Sequence, residues 1–156
     1  MKNTLLLAVI ALLWALPAQA ATVTSTQADT GTPYFKPTGS GYLAVAHGVY
    51  EETSPHTAGD VWQMAKVPGG ACVVDGIVRA DDIDTGTETL DINVGWEANG
   101  VEPADADGFG NLGIWTGDAV TDVKPEATIM YRFNGALKDG PVCFGDDTNI
   151  VLTSVS

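Results

Sequence analysis

The stretch Thr87-Glu88-Thr89-Leu90-Asp91-Ile92-Asn93-Val94-Gly95-Trp96-Glu97 decides the fold class. Leu90, Ile92, Val94 and Trp96 alternate with Thr89, Asp91, Asn93, Gly95 and Glu97. In an extended chain successive side chains point to opposite faces. A period of two therefore places the apolar set on one face and the polar set on the other. The stretch reads as a strand with one face buried and one face wet.

The flanking sequence has the same chemistry. After position 20 there are 16 Thr and 15 Val, but only 5 Leu and 4 Lys. No long segment has clean helical periodicity, and Gly, Asp and Pro punctuate the chain every several residues. That combination favours short strands joined by tight turns. Upstream, Tyr42 to Tyr50 reads as a first strand. Gly59-Asp60 opens a second, Val61 to Val67, which closes at the turn signal Pro68-Gly69-Gly70. Ala71 to Ala80 follows, so these two are expected to form a hairpin, with Asp81 to Gly86 as an acidic turn after it. Downstream, Asn99 to Val123 is glycine-rich and acidic and reads as irregular. Ala127 to Phe133 is a further strand, with Ile129, Tyr131 and Phe133 on one face. Asn134-Gly135 and Asp139-Gly140-Pro141 are turns, and Thr148 to Val155 is the last strand.

Closely spaced half-buried strands predict an all-β domain, an antiparallel β-sandwich or jelly roll, with a barrel as the other closed solution. The domain is expected over 42–156, after an extended arm over 21–41 that carries Pro33, Pro37 and Gly39. A length of 156 residues suits one domain. Hydrophobic residues make up 45%, enough for a core, which excludes a wholly disordered chain. Twenty acidic residues against seven basic ones give a net charge of −13. Such a surface repels phosphates, so nucleic acid is excluded as a partner.

Residues 1–20 have a composition of their own. Lys2 is the only charge, Leu5 to Leu16 is uninterrupted apolar sequence, and Ala18-Gln19-Ala20 precedes Ala21. This is the layout of a secretory signal peptide cleaved after Ala20. A membrane anchor is the competing reading, but the apolar run is short of the roughly 20 residues a span needs. Leader removal leaves 136 residues with no further long apolar run, so no membrane association is expected of the mature chain. Cys72 and Cys143 lie 71 residues apart. In an oxidising compartment they are able to bridge. The other reading is two buried free thiols packed as small hydrophobes. They lack metal-site spacing from each other and from His47 and His56.

Each candidate site has a plainer competitor. Asp81-Asp82-Ile83-Asp84 and Asp105-Ala106-Asp107-Gly108 offer oxygens of the kind calcium takes, but neither has the spacing of a helix–loop–helix calcium site. Asp is also a turn residue because it binds nearby backbone amides, and that reading is preferred. His47 and His56 sit in no nucleophile motif, no carboxylate pair stands out, and no phosphate-cradling loop exists. No enzyme, cofactor or metal is expected. Trp62, Trp96 and Trp115 are the aromatics available for a glycan or partner platform. Trp96 lies on the apolar face of its strand and is expected in the core, whereas Trp115 lies in the glycine-rich stretch and suits an exposed contact.

One series of motifs resembles a known family. It runs Gly59-Asp60-Val61, Val67-Pro68-Gly69-Gly70-Ala71, Asp81-Asp82-Ile83-Asp84-Thr85-Gly86-Thr87 and Leu90-Asp91-Ile92-Asn93-Val94-Gly95, then Asp105-Ala106-Asp107-Gly108-Phe109 and Asp146-Asp147-Thr148-Asn149-Ile150-Val151-Leu152. Over Tyr42 to Thr153 this order resembles small virion structural proteins of tailed bacteriophages and prophages. The resemblance implies a non-enzymatic β-sandwich that decorates or completes a capsid or tail. Its partners would be capsid or tail proteins and further copies of itself. The alternative is a secreted or periplasmic acidic β-sandwich that binds a partner, a glycan or calcium.

Overall fold

A computed structural model describes residues 20–29, 43–51, 56–80, 90–114 and 129–155. The described residues are all-β apart from one 3-10 helix, Gly135–Asp139. The strands are β1 (Thr22–Thr24), β2 (Val61–Val67), β3 (Cys72–Val73), β4 (Ile77–Ala80), β5 (Asp91–Trp96), β6 (Asp105–Ile114), β7 (Ile129–Arg132), β8 (Val142–Cys143) and β9 (Thr148–Ser154). One five-stranded sheet has the order β1-β2-β9-β5-β6, and two ribbons pair β3 with β8 and β4 with β7. All pairs are antiparallel except β1 with β2, which is parallel.

The alternating segment forms β5 in the expected phase. Leu90, Ile92 and Val94 are buried, and Trp96 is half-buried on the same face. Opposite them on β9 lie Ser154, Leu152 and Ile150, in register with Ile92, Val94 and Trp96. Val67, Val94, Phe109, Phe144 and Ile150 form the main core, and Leu112 and Leu152 connect it to Leu90 and Ile92. Both ribbons pack onto that core, through Val73 and Val142 from one and Val78 and Tyr131 from the other. Trp96 meets Phe109 and Phe144 edge-on at 5.0 and 5.5 Å, and Phe133 stacks on Phe109 at 4.8 Å. Such aromatic pairs add to the area they bury.

Several expectations are corrected. The arm starts as a strand: β1 adds to the edge of β2, with Thr22 opposite Val61 and Thr24 opposite Gln63. Residues 43–50 form no strand. The hairpin across Pro68-Gly69-Gly70 does not form, because β1 and β9 occupy the two edges of β2. The turn is held elsewhere: Gly70 N donates to Phe144 O at 2.8 Å, and Gly69 N to Asp147 Oδ1 at 2.9 Å. The chain then enters the two ribbons instead of doubling back. The expected strand from Ala71 to Ala80 is accordingly split at Val74–Gly76, where the Asp75 carboxylate accepts from Gly76 N at 2.9 Å. Much of the stretch expected to be irregular, Asn99 to Val123, is the long strand β6, hydrogen-bonded to β5. Two of its glycines allow close approach: a Cβ on Gly108 would overlap the Trp96 ring, and one on Gly110 the Tyr131 hydroxyl. The acidic turn at 81–86, Trp115 and the leader up to residue 19 lie outside the described residues.

Candidate interaction surface

The two faces of the large sheet differ. The core face is mainly apolar, with Thr148 and Ser154 buried in it, while the other carries Thr22 and Thr24 from β1, Gln63 and Lys66 from β2, Asn149 and Thr153 from β9 and Asp91 and Asn93 from β5, together with Val61 and the buried Val151, as the register dictates. Glu97, just past β5, lies opposite Asn149, to whose carbonyl its amide donates at 3.1 Å. Several side chains of this face bond to one another. Thr24 Oγ1 donates to Gln63 Oε1 at 2.6 Å, Gln63 Nε2 to Glu97 Oε1 at 2.6 Å, and Asn149 Nδ2 to Glu97 Oε2 at 2.9 Å. Further along, Asn111 Nδ2 donates to Asn93 Oδ1 at 2.7 Å. Cross-strand polar pairs of this kind stabilise the sheet and leave few donors for a ligand. The platform aromatics are elsewhere: Trp96 lies in the core, its Nε1 donating to Pro103 O at 3.1 Å, and Trp62 is buried with its ring edge-on to His56.

Residues 43–50 present a different surface. Leu43, Val45 and Val49 are 82%, 82% and 70% exposed, and His47, between them, is exposed too. The spacing is that of one face of a strand, but the segment has no ladder partner among the described residues. It is held at one end. A Cβ on Gly48 would overlap the Met64 carbonyl, so only glycine allows the segment to lie against β2 there. Val49 N also donates to Gln27 Oε1 at 3.4 Å. Met64 sits at a register shift in the β2–β9 pairing, and its carbonyl already accepts from Ser25 Oγ at 2.6 Å. With that acceptor committed and β1 paired to β2 only over Val61–Gln63, the segment is seated beside β2 without joining its ladder. The sequence signal for this site was the strand pattern itself. The strand chemistry at Tyr42 to Tyr50 is visible in the sequence, but not that residues 43–50 have no ladder partner among the described residues.

Of the two acidic groups only Asp105 and Asp107 are among the described residues, and they lie on strand β6, not in the turn that was expected of them. Asp105 and Asp107 lie two apart on β6, and burial, reinforced by the neighbouring Asp107 carboxylate, pushes the Asp105 carboxyl up. No group of three His, Cys, Asp or Glu able to hold a metal occurs among the described residues. A raised carboxylate is favoured in its neutral form by folding. Ionised Asp105 thus costs stability above the ordinary carboxylate range, and that cost disappears as pH falls. Asp107→Asn is therefore expected to raise the melting temperature at pH 7 by about 1–3 °C, the scale of a largely solvated pair. The gain should vanish below about pH 4, where the unfolded carboxylates also protonate. Thermal melts at the two pH values check this, and an equal gain at both would refute the charge explanation. Asp75 behaves oppositely. Arg132 grips it through Nε and Nη2 at 3.0 and 2.8 Å and holds its carboxyl low, linking the β3–β4 connection to β7. Both side chains are well exposed, so the pair contributes little net stability.

Cys72 and Cys143 are bridged, which decides between the two readings of these residues. They face each other directly in the β3–β8 ribbon, and both are exposed. Compared with known proteins, the chain matches no family model, no curated protein and no solved structure.

Proposed function

We propose that the protein is a non-enzymatic virion structural protein, a capsid decoration or head-surface component that works by protein–protein assembly. The observation that supports this reading best is the strand-like segment at 43–50, which has no ladder partner among the described residues, with Leu43, Val45 and Val49 turned to solvent. An isolated apolar row costs free energy in a monomer and is stabilised when a neighbour covers it. A segment with strand chemistry that joins no ladder among the described residues is suited to adding to a sheet edge of a neighbouring subunit. The resemblance to phage virion proteins names the assembly. A net charge of −13 keeps the free subunit soluble. In this reading the two ribbons form the second layer of a β-sandwich over the five-stranded sheet.

Purified particles should contain the protein by mass spectrometry. Val45→Asp should leave the isolated domain folded, because the side chain is exposed, and should abolish its incorporation into particles. Normal incorporation of Val45→Asp would remove the segment from the interface. Absence of the wild-type protein from particles would overturn the virion reading itself.

The disulfide favours a second reading, an exported acidic β-sandwich that binds a partner. Exposed bridges such as Cys72–Cys143 persist in oxidising compartments and are rare where thiols are kept reduced. Recovery of a leaderless chain from periplasm or medium, outside any particle, would support it over the first.

A further inference from the structure

We propose that Asp60 is the receptor for the mature N-terminus: cleavage of the Ala20–Ala21 peptide bond places a free α-ammonium on its carboxylate. This goes beyond both functional readings and requires only that the leader be removed.

Asp60 precedes β2 and is 7% exposed. Its carboxylate accepts from three donors. Ala21 N reaches Oδ1 at 2.6 Å, Thr57 N reaches Oδ2 at 2.6 Å, and Thr57 Oγ1 reaches Oδ1 at 3.1 Å. No Lys or Arg among the described residues forms an ion pair with it, and His56 acts on it only as the weakest of its neighbours. A buried carboxylate is ordinarily paired with a cation, because desolvation of an unpaired charge is expensive. Here one of its two closest donors, at 2.6 Å like Thr57 N, is the amide nitrogen of Ala21, the atom that the Ala18-Gln19-Ala20 pattern places immediately after the scissile bond.

Hydrolysis of that bond consumes one water. The Ala20 carbonyl becomes a carboxylate, and the Ala21 nitrogen takes up protons to become –NH3+. The neutral N–H donor at Asp60 thereby becomes a charged one, and a charge-assisted hydrogen bond is roughly twice as strong as a neutral one. The new terminus is also held in place. Val61 N donates to Ala21 O at 2.8 Å, and the next residue, Thr22, is already in register with Val61. The first residue of the mature chain therefore cannot fray away from Asp60 without breaking the start of β1. Ala20, on the leaving side, is exposed.

The test uses the chain exported with its own leader. N-terminal mass analysis should find the mature protein starting at Ala21. A second version carries Gly-Ser inserted between Ala20 and Ala21, so that cleavage after Ala20 leaves Ala21 in a peptide bond. Each version is also made as Asp60→Asn, which keeps a hydrogen-bond acceptor and removes the charge. Asp60→Asn should lower the melting temperature of the Ala21 chain by about 5 °C or more, and that of the inserted chain by less than half as much. With Asp60 intact, the inserted chain should melt below the Ala21 chain, and this comparison decides the matter if Asp60→Asn does not fold. Equal losses in the two backgrounds, equal melting of the two Asp60 chains, or a mature chain starting at another residue would each overturn the proposal. Absence of the protein from particles would overturn the virion reading alone and leave this pairing standing.

Discussion

Ile92→Asp is expected to yield no soluble folded protein. Ile92 is 1% exposed in the central strand β5, opposite Ser154 and packed with Leu90, Leu112 and Leu152. Removing its aliphatic side chain alone would cost about 2–5 kcal/mol from lost burial and the cavity left behind. Asp adds a carboxylate with no cationic partner on that face, and its desolvation costs more again. Native domains are stable by only about 5–15 kcal/mol, so these losses together consume most or all of the margin. The neighbouring position is the control. Asp91 points to the opposite face, half-buried, with its Oδ1 enclosed and without a hydrogen-bond partner. Its role in the ladder is played by its backbone, whose carbonyl accepts from Val155 N at 2.8 Å. Asp91→Ser keeps that bond and relieves an unsatisfied oxygen, so stability should stay within about 0.5 kcal/mol of the parent. Soluble expression and far-UV circular dichroism of the two variants check the pair. Equal tolerance of both would mean that the strand register is wrong by one residue, because such a slip exchanges the two faces.

The parts of this fold that were legible in the sequence are those where local chemistry and tertiary environment agree. β5 and β9 lie in the middle of the sheet, and the apolar residues of β5 alternate accordingly at Leu90, Ile92 and Val94, while β9 carries the continuous apolar run Ile150-Val151-Leu152 that also marks a central strand. β6 was misread because its residues answer to neighbours distant in sequence. Gly108 is small to admit Trp96, Asp105 is half-buried and Asp107 exposed on the same strand, yet these residues in series imitate a loop. The hairpin expected across Pro68-Gly69-Gly70 failed for a related reason. A turn signal states that the chain reverses, and the strand it then joins depends on which edges are already taken. The edges of β2 belong to β1 and β9, the two ends of the described chain. In the candidate surface the pattern at 43–50 was visible as strand chemistry. Its lack of a ladder partner among the described residues was not, since pairing is a property of the whole sheet.

Removing the disulfide should be the second large effect. Cys72→Ser with Cys143→Ser is expected to lower stability by about 4 kcal/mol, the loop-closure entropy that a 71-residue cross-link removes from the unfolded chain. Little of this loss comes from burial, because both cysteines are exposed. The native ribbon is short, two residues on each side, and a ladder of that length does not hold itself together in water. Its remaining attachments are local: Val73 and Val142 on the core, Phe144 N donating to Ala71 O at 3.1 Å, and Gly70 N donating to Phe144 O. Loss of the bridge should therefore lower the melting temperature by about 10 °C or more. Below that transition it should loosen the ribbon first, seen as weakened near-UV dichroism from Trp96, which meets Phe144 edge-on. Reduction of the wild-type protein should reproduce the double variant. If the reduced and oxidised proteins melt together, the cross-link constrains a loop that the unfolded chain keeps closed by other means, and the ribbon must be held by its contacts with the core.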